Sequence, residues 1–319
     1  ILLFTGIILL DNDFLIEKYR FTNKVFFKKA SYFSDFIKEK ENVNLILGSS
    51  VIEDAIIPDS LGGKWFSFTN EFQNIYESYK FLDFYKDSVK IDTILIGITP
   101  FDFPKSFVNH YSTDGRSLNG GFYIFGEDSI TTLKRERNKI SIKRKIQLIK
   151  DEYFVNINQL LKIITNQNFS YLYAVWSKQG FSGRINATSR DLDKLFIEFS
   201  QGKDMPGSLF NRHNQYFKDV QSDPNFYYFN LFHSLSKSLD IETIYLLTPK
   251  SKYYHRALNQ KGFDKIMDKI LNGIKIKEAT LWNYEKLETD TFGFHFFWDE
   301  THITHDAAKV FSKVIDKQF

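Results

Sequence analysis

The sequence predicts an α/β fold, a three-layer sandwich in which helices cover both faces of a central, mostly parallel sheet. Four short apolar runs predict the strands, because a strand that is buried on both faces has few polar positions. Segments with a helical apolar period separate these runs, and strands that alternate with helices form parallel sheets. A chain of 319 residues is long enough to bury the core of such a domain.

The elements follow one another in a simple order along the chain. The predicted strands lie at 43–47, 92–100, 241–249 and 277–284. The predicted helices lie at 16–40, 71–88, 130–165, 209–238 and 257–275, and a last one closes the chain. The mixed charge of the first helix is typical of an exposed helix. The pattern loosens at about 105–235, which is predicted as a helical insertion between two strands.

The composition excludes several kinds of site. The chain has no cysteine, which excludes disulfides, thiolate zinc sites and a cysteine nucleophile but leaves the compartment open. Its net charge is only +3, which does not indicate nucleic acid as a partner. The turn after the first strand has neither Gly-x-Gly-x-x-Gly nor Gly-Lys-Ser/Thr, which argues against nucleotide binding. We expect neither a cofactor nor a bound metal.

The first ten residues, ILLFTGIILL, carry no charge, and Asp11 ends this apolar run. Ten helical residues rise about 15 Å, half of the roughly 30 Å hydrocarbon core of a bilayer. Since the chain does not begin with Met, we interpret residues 1–12 as the end of a truncated N-terminal membrane anchor and 13–319 as a single α/β domain. An ordinary buried helix or strand at a domain edge is the alternative. An anchored domain is expected to face outward.

Polar residues follow three predicted elements at the edge of the sheet where ligands bind. In an open parallel sheet, this edge is formed by the carboxyl ends of the strands. Residues 48–50, Gly-Ser-Ser, follow the first strand, and residues 99–102, Thr-Pro-Phe-Asp, end the second. Near the C-terminus, Asp299 and His302 lie in a loop just before the last helix.

A serine pair at a strand end and an Asp-x-x-His loop together indicate nucleophilic catalysis. Serine is a poor nucleophile at neutral pH unless a neighbouring base takes its proton, and a carboxylate fixes the tautomer of that base. With this spacing, the Asp299 carboxylate can reach His302 Nδ1 and leave Nε2 facing a serine. Each motif alone is common, whereas the two in this order along the chain are much more specific.

Three blocks of the sequence resemble the SGNH (GDSL-like) hydrolase superfamily. They are LILGSS followed by AIIP, LIGITPFDF, and WDETHITHDAAKVFS. The resemblance is to the divergent extracytoplasmic branch, which includes membrane-anchored proteins of alginate O-acetylation and of teichoic-acid D-alanylation. It covers the sheet framework, whereas 105–235 match no part of the family. It implies an SGNH/flavodoxin-like sheet and a place in the bacterial cell envelope, with a membrane contact through the N-terminus.

The resemblance implies a role for each matching residue. Ser50 would be the nucleophile, His302 the base and Asp299 the residue that orients this base. The family stabilises the oxyanion with the serine N–H, a Gly in its second block and an Asn in its third. Here Thr99 stands in place of that Asn, and Asn70, directly after FSFT, is the nearest candidate in the second block.

Further polar residues near these motifs have two interpretations each. Ser49, at a position where the family often has Asp, and Asp102 are candidate contacts of a substrate cleft, although Asp102 can also cap a local turn. His295 and His305 could form a metal site with His302. A metal-bound His302 would lose its role as base, so we expect no metal there.

The sequence favours a serine-dependent acyltransferase or esterase whose partner is an acylated cell-surface polysaccharide or related polymer, or an acyl donor. The main alternative is a catalytically inactive domain of this fold that binds glycan or a partner of the cell-envelope acylation machinery. The departures from the family's oxyanion residues support that alternative. A soluble intracellular esterase is a third hypothesis.

Overall fold

A computed structural model describes residues 24–70, 73–103, 177–183, 224–287 and 296–319 of the chain. Residues 1–12, which the sequence analysis interprets as the end of an anchor, lie outside these ranges, as does most of the predicted insertion. Within the described ranges, no helix is both long enough and apolar enough to cross a membrane.

In the part of the chain that the structure describes, five parallel strands form one sheet, which confirms the predicted fold class. The strands are β1 (Asn42–Gly48), β2 (Trp65–Thr69), β3 (Lys90–Gly97), β4 (Glu242–Leu247) and β5 (Thr280–Asn283). Every neighbouring pair is parallel. The order in the sheet is β2-β1-β3-β4-β5, which is the flavodoxin-like order.

Strand β2 is the one described strand that the sequence pattern does not predict. It is only five residues long, and all five are buried although Ser67 and Thr69 are polar. Their hydroxyl oxygens lie 3.0 Å apart in a hydrogen bond, and the Ser67 N–H donates to Gln179 O at 2.8 Å. Residues 177–183, which belong to the predicted insertion, therefore cover the outer edge of this strand.

Seven helices in the described ranges cover the two faces of the sheet. They are α1 (Lys24–Lys38), α2 (Ser50–Glu53), α3 (Ile75–Tyr85), α4 (Tyr227–Ser238), α5 (Lys252–Lys261), α6 (Asp264–Ile276) and α7 (His305–Asp316). Successive strand side chains point to opposite faces. Accordingly, Leu45 and Ile94 pack with α1, α3, α4, α5 and α6, whereas Ile46 and Leu95 pack with α2 and α7.

The single helix predicted at 257–275 is two helices. Gly262 separates α5 from α6 with a φ of 70°, and a glycine in this left-handed conformation ends many helices. Helix α5 also begins earlier than predicted, at Lys252, where Ser251 Oγ accepts a hydrogen bond from the Tyr254 N–H at 3.3 Å.

The connections place a crevice at the carboxyl end of β1. From β1 the chain moves to β2 at the edge of the sheet and then crosses back to β3 on the other side of β1. Open α/β sheets bind ligands at such a reversal, outside the carboxyl ends of the strands. Because β1 ends at Gly48, Ser49 and Ser50 follow directly at this crevice.

Candidate active site

The turn after β1 depends on glycine at position 48. Gly48 has a φ of +124°, a region that favours glycine, and a Cβ there would lie 2.8 Å from Gly97 O. A Cβ on Gly97 would in turn lie 2.5 Å from Ile52 Cβ. The two glycines therefore allow α2, which begins at Ser50, to pack closely against β1 and β3. Ser49 precedes α2, and its side chain makes no capping hydrogen bond, so it stays a candidate cleft contact.

The predicted Asp-x-x-His motif lies in a closed loop at 296–304. Phe297 and Ile303 form an isolated antiparallel bridge. Inside it, the Trp298 N–H donates to His302 O at 3.2 Å. These contacts hold the motif in one short, hydrogen-bonded hairpin, which we call the base loop.

Ser50, His302 and Asp299 lie within hydrogen-bond distance of one another in series. Ser50 Oγ is 3.0 Å from His302 Nε2, and His302 Nδ1 is 2.9 Å from each carboxylate oxygen of Asp299. When Nδ1 carries the proton and donates it to Asp299, Nε2 can accept from the Ser50 hydroxyl. The structure therefore brings together the three residues that the sequence analysis selected from opposite ends of the chain.

Asp299 is held as a carboxylate. Its Oδ1 accepts hydrogen bonds from the backbone N–H groups of Thr301 and His302, both at 2.8 Å. Burial opposes the charge, but the interaction with the His302 ring and these hydrogen bonds outweigh burial and lower the pKa of Asp299 to about 2. At neutral pH the group is an acceptor that can fix the tautomer of the imidazole.

Trp298 covers the ring of His302. The two ring centroids lie 5.2 Å apart with an angle of 29° between the planes, which is a stacked arrangement. This contact restricts the imidazole and shields one of its faces from water. The sequence analysis gives Trp298 no role, although its position directly before Asp299 is a visible signal.

The two oxyanion candidates lie after the strands on either side of β1. Asn70 follows β2, and its N–H donates to Gly48 O at 3.2 Å. Thr99 follows β3, but its hydroxyl donates to Asp102 Oδ2 at 2.9 Å. Since a hydroxyl has one proton, Thr99 cannot also donate it to an oxyanion. Among the described residues, no backbone carbonyl accepts from the Ser50 N–H, which leaves this group as a donor for an oxyanion.

Asp102 makes capping contacts, which is one of its two predicted roles. Its Oδ2 accepts from the Thr99 N–H at 2.6 Å as well as from the hydroxyl, and its Oδ1 accepts from the Ile75 N–H at 2.9 Å. Burial raises the pKa of Asp102 to about 7, against these three hydrogen bonds. The buried side chain links the end of β3 to the start of α3, so both of its oxygens have partners inside the protein.

The histidines around the base loop form no described metal site. His295 lies outside the described residues. His305 is the first residue of α7, and its ring centroid lies 5.8 Å from that of Phe181. The Nδ1 of His305 is buried without a hydrogen-bond partner among the described residues. In the same ranges, no group of three or more His, Asp or Glu side chains could hold a metal ion.

A buried ion pair, which the sequence analysis missed, holds the helix that begins at Ser50. Lys29 of α1 lies with Nζ 2.8 Å from Oε1 of Glu53, the last residue of the Ser50 helix. The same Nζ donates to the carbonyl and the hydroxyl of Thr69, at 2.5 and 3.1 Å. Burial lowers the pKa of Lys29, and Glu53 opposes this shift. Helix α1 was predicted to be exposed, but its Lys29 is 1% exposed, because its charge is paired with Glu53.

Comparison of the chain with protein-family models finds no match, and comparison with curated proteins finds none. The resemblance to SGNH hydrolases therefore stays a prediction from three sequence blocks. The geometry of Ser50, His302 and Asp299 is the observation from which a function can be argued.

Proposed function

We propose that the chain is a serine-dependent enzyme that transfers an acyl group or hydrolyses an ester. The observation that carries this proposal is the series of hydrogen bonds from Ser50 Oγ through His302 to Asp299, at 3.0 and 2.9 Å. A nucleophile, a base and an orienting carboxylate are the parts that acyl transfer requires. The place of the three residues at the carboxyl edge of the sheet also supports the proposal.

In the first half of the reaction, Ser50 Oγ attacks the acyl carbonyl carbon and its proton passes to His302 Nε2. Asp299 stays ionised and stabilises the imidazolium. The Ser50 N–H stabilises the oxyanion, and the side-chain amide of Asn70 is the second donor. When the tetrahedral intermediate collapses, the leaving alcohol takes the proton from Nε2, and the acyl group stays on Ser50 as an ester.

In the second half, an acceptor hydroxyl gives its proton to His302 Nε2 and attacks the acyl group on Ser50. Water as acceptor yields a carboxylic acid, and a polymer hydroxyl yields a new ester. The proton then returns to Ser50 Oγ. Hydrolysis and transfer therefore use the same three side chains and differ in the acceptor that enters the site.

The substrate class is proposed from the sequence resemblance. The branch that the three blocks resemble includes proteins of cell-surface polymer acylation, and the apolar residues 1–10 fit the end of a membrane anchor. We therefore propose an acylated cell-surface polysaccharide or related polymer as the partner, at the bacterial cell envelope, without a cofactor.

Covalent labelling with a fluorophosphonate tests the proposal. We expect mass spectrometry of the labelled full chain to find the probe on Ser50, and the S50A and H302N variants to lose the label. The matched control is S238A, because Ser238 is an exposed serine of α4 whose hydroxyl donates to Leu235 O. A folded wild-type protein without label on Ser50 would contradict the proposal.

The hydrogen bond from Thr99 to Asp102 favours a second candidate function. Because this hydroxyl already donates to Asp102, the site lacks the oxyanion donor of the third block. The second candidate is therefore a catalytically inactive domain that binds glycan. Such a domain would leave Ser50 unlabelled yet bind the polymer, and calorimetric titration with polysaccharide would detect the binding.

A further inference from the structure

Lys250 lies buried against the base loop, at the end of β4. Its Nζ donates to Thr248 Oγ1 at 2.9 Å and to Thr301 O at 3.3 Å. Thr301 lies between Asp299 and His302 in the sequence. The lysine therefore holds the backbone of the motif from the carboxyl end of a neighbouring strand.

The residue after Lys250 holds the base loop at a second point. Both the N–H and the hydroxyl of Ser251 donate to Glu300 O, each at 3.1 Å. Together, Lys250 and Ser251 bind two successive carbonyls of the loop, those of Glu300 and Thr301. This anchoring fixes the backbone from which Asp299 and His302 project.

Two buried carboxylates face the Lys250 ammonium from other elements. Glu285 follows β5, and Asp299 lies in the base loop. Burial lowers the pKa of Lys250 to about 8, and both carboxylates oppose this shift. Two further groups face Glu285: Lys286 on the same segment and Tyr254 on α5. Glu285 and Asp299 therefore both favour the charged form of Lys250.

We propose that Lys250 is a positioning residue of the triad, which fixes the base loop and whose charge acts on the Asp299–His302 pair. Removal of a positive charge near Asp299 strengthens the negative field of this carboxylate at the imidazole, so the imidazole of a variant without that charge should bind its proton more tightly. Lys250 acts through Asp299 and Thr301 and touches no reacting atom. The kinetic part of this inference rests on the proposed function.

The pH dependence of Ser50 labelling tests the proposal. The K250M variant keeps the aliphatic stem but removes the charge, so we expect the acidic limb of the profile to move up by about 0.5 to 1 pH unit. The maximal rate should fall about tenfold or more, because the Thr301 anchor is lost. The K250R variant keeps a charge at every pH. It should therefore retain the acidic limb of the wild type.

The matched control is K252M, since Lys252 is an exposed lysine two residues away, over the ring of Tyr253. It should leave the profile unchanged. An acidic limb that stays in place in K250M would overturn the proposal. Should K250M not fold, K250R decides the question: because this variant keeps the charge, an acidic limb that moves in it by about 0.5 pH unit or more would overturn the proposal.

A second measurement needs no reaction at Ser50. Nuclear magnetic resonance of the full chain with isotope-labelled histidine follows the titration of His302, assigned by comparison with H302N. We expect K250M to raise its midpoint by the same 0.5 to 1 pH unit, roughly. If wild-type Ser50 takes no label but this midpoint moves, the proposed function fails and the electrostatic role stands. If Ser50 is labelled and the midpoint does not move, the role of Lys250 fails alone.

Discussion

Each half of the site rests on a buried lysine, and the two lysines are held differently. On the nucleophile side, Lys29 forms an ion pair with Glu53 at 2.8 Å and two more hydrogen bonds with Thr69. On the base side, the described hydrogen bonds of Lys250 go to neutral oxygens, one of them Thr301 O. The first charge is compensated by direct contact, and the second acts on carboxylates of the site through space.

Because of this difference, we expect the two lysines to affect different properties of the protein: its stability for Lys29 and the electrostatics of the site for Lys250. An ion pair that is complete and buried adds little to the field beyond it, but leaving one partner alone is strongly destabilising. A cation without a directly bound carboxylate acts on its surroundings and responds to pH. We therefore expect changes at Lys29 to alter the free energy of unfolding, and changes at Lys250 to alter the pH profile.

The largest effect is expected from Asp299→Asn, which removes the carboxylate on the base side of the site. An asparagine can present its amide N–H to His302 Nδ1 and thereby favour the tautomer in which Nε2 carries the proton. We expect kcat/KM for ester hydrolysis to fall about 10⁴-fold. Circular dichroism should show a retained fold, because the amide oxygen can still accept from the Thr301 N–H. A loss smaller than tenfold would show that Asp299 does not control the tautomer.

Lys29→Met removes the buried cation on the nucleophile side of the site. It leaves Glu53 as an uncompensated buried charge, so we expect urea denaturation to show a loss of about 3–5 kcal/mol in the free energy of unfolding. The control is Lys28→Met, since Lys28 is exposed on the same helix, and its effect should stay within about 0.5 kcal/mol. The acidic limb of Ser50 labelling should not move. A shift like that expected for K250M would mean that the two lysines act alike.

Local patterns predict the parts of the site that react. The apolar runs predicted β1, β3 and β4. The Gly-Ser-Ser turn predicted Ser50 as a site residue, and the Asp-x-x-His spacing predicted His302. These two residues are 252 positions apart. They could still be predicted together, because the carboxyl ends of parallel strands meet at one edge of the sheet.

The supporting parts could not be predicted, because their burial depends on distant partners. Lys29 is buried by Glu53, 24 positions away, and Lys250 by Thr301, 51 positions away. A lysine in a helix is usually exposed, and no local pattern marks the exceptions. Strand β2 was missed for the same reason, since the polar group of Ser67 is satisfied by its partners in the fold.

Asn70 and Thr99 lie at the two strand ends beside the nucleophile. Asn70→Ala should lower kcat about 10²–10³-fold, as the loss of one oxyanion donor does. Thr99→Val should leave kcat unchanged, because the hydroxyl already donates to Asp102, and should cost about 1 kcal/mol of stability. Steady-state kinetics on a small ester and urea denaturation measure both. The opposite ranking would mean that the Thr99 hydroxyl leaves Asp102 to bind the oxyanion. The end of β3 would then form part of the oxyanion hole, as the sequence resemblance implies.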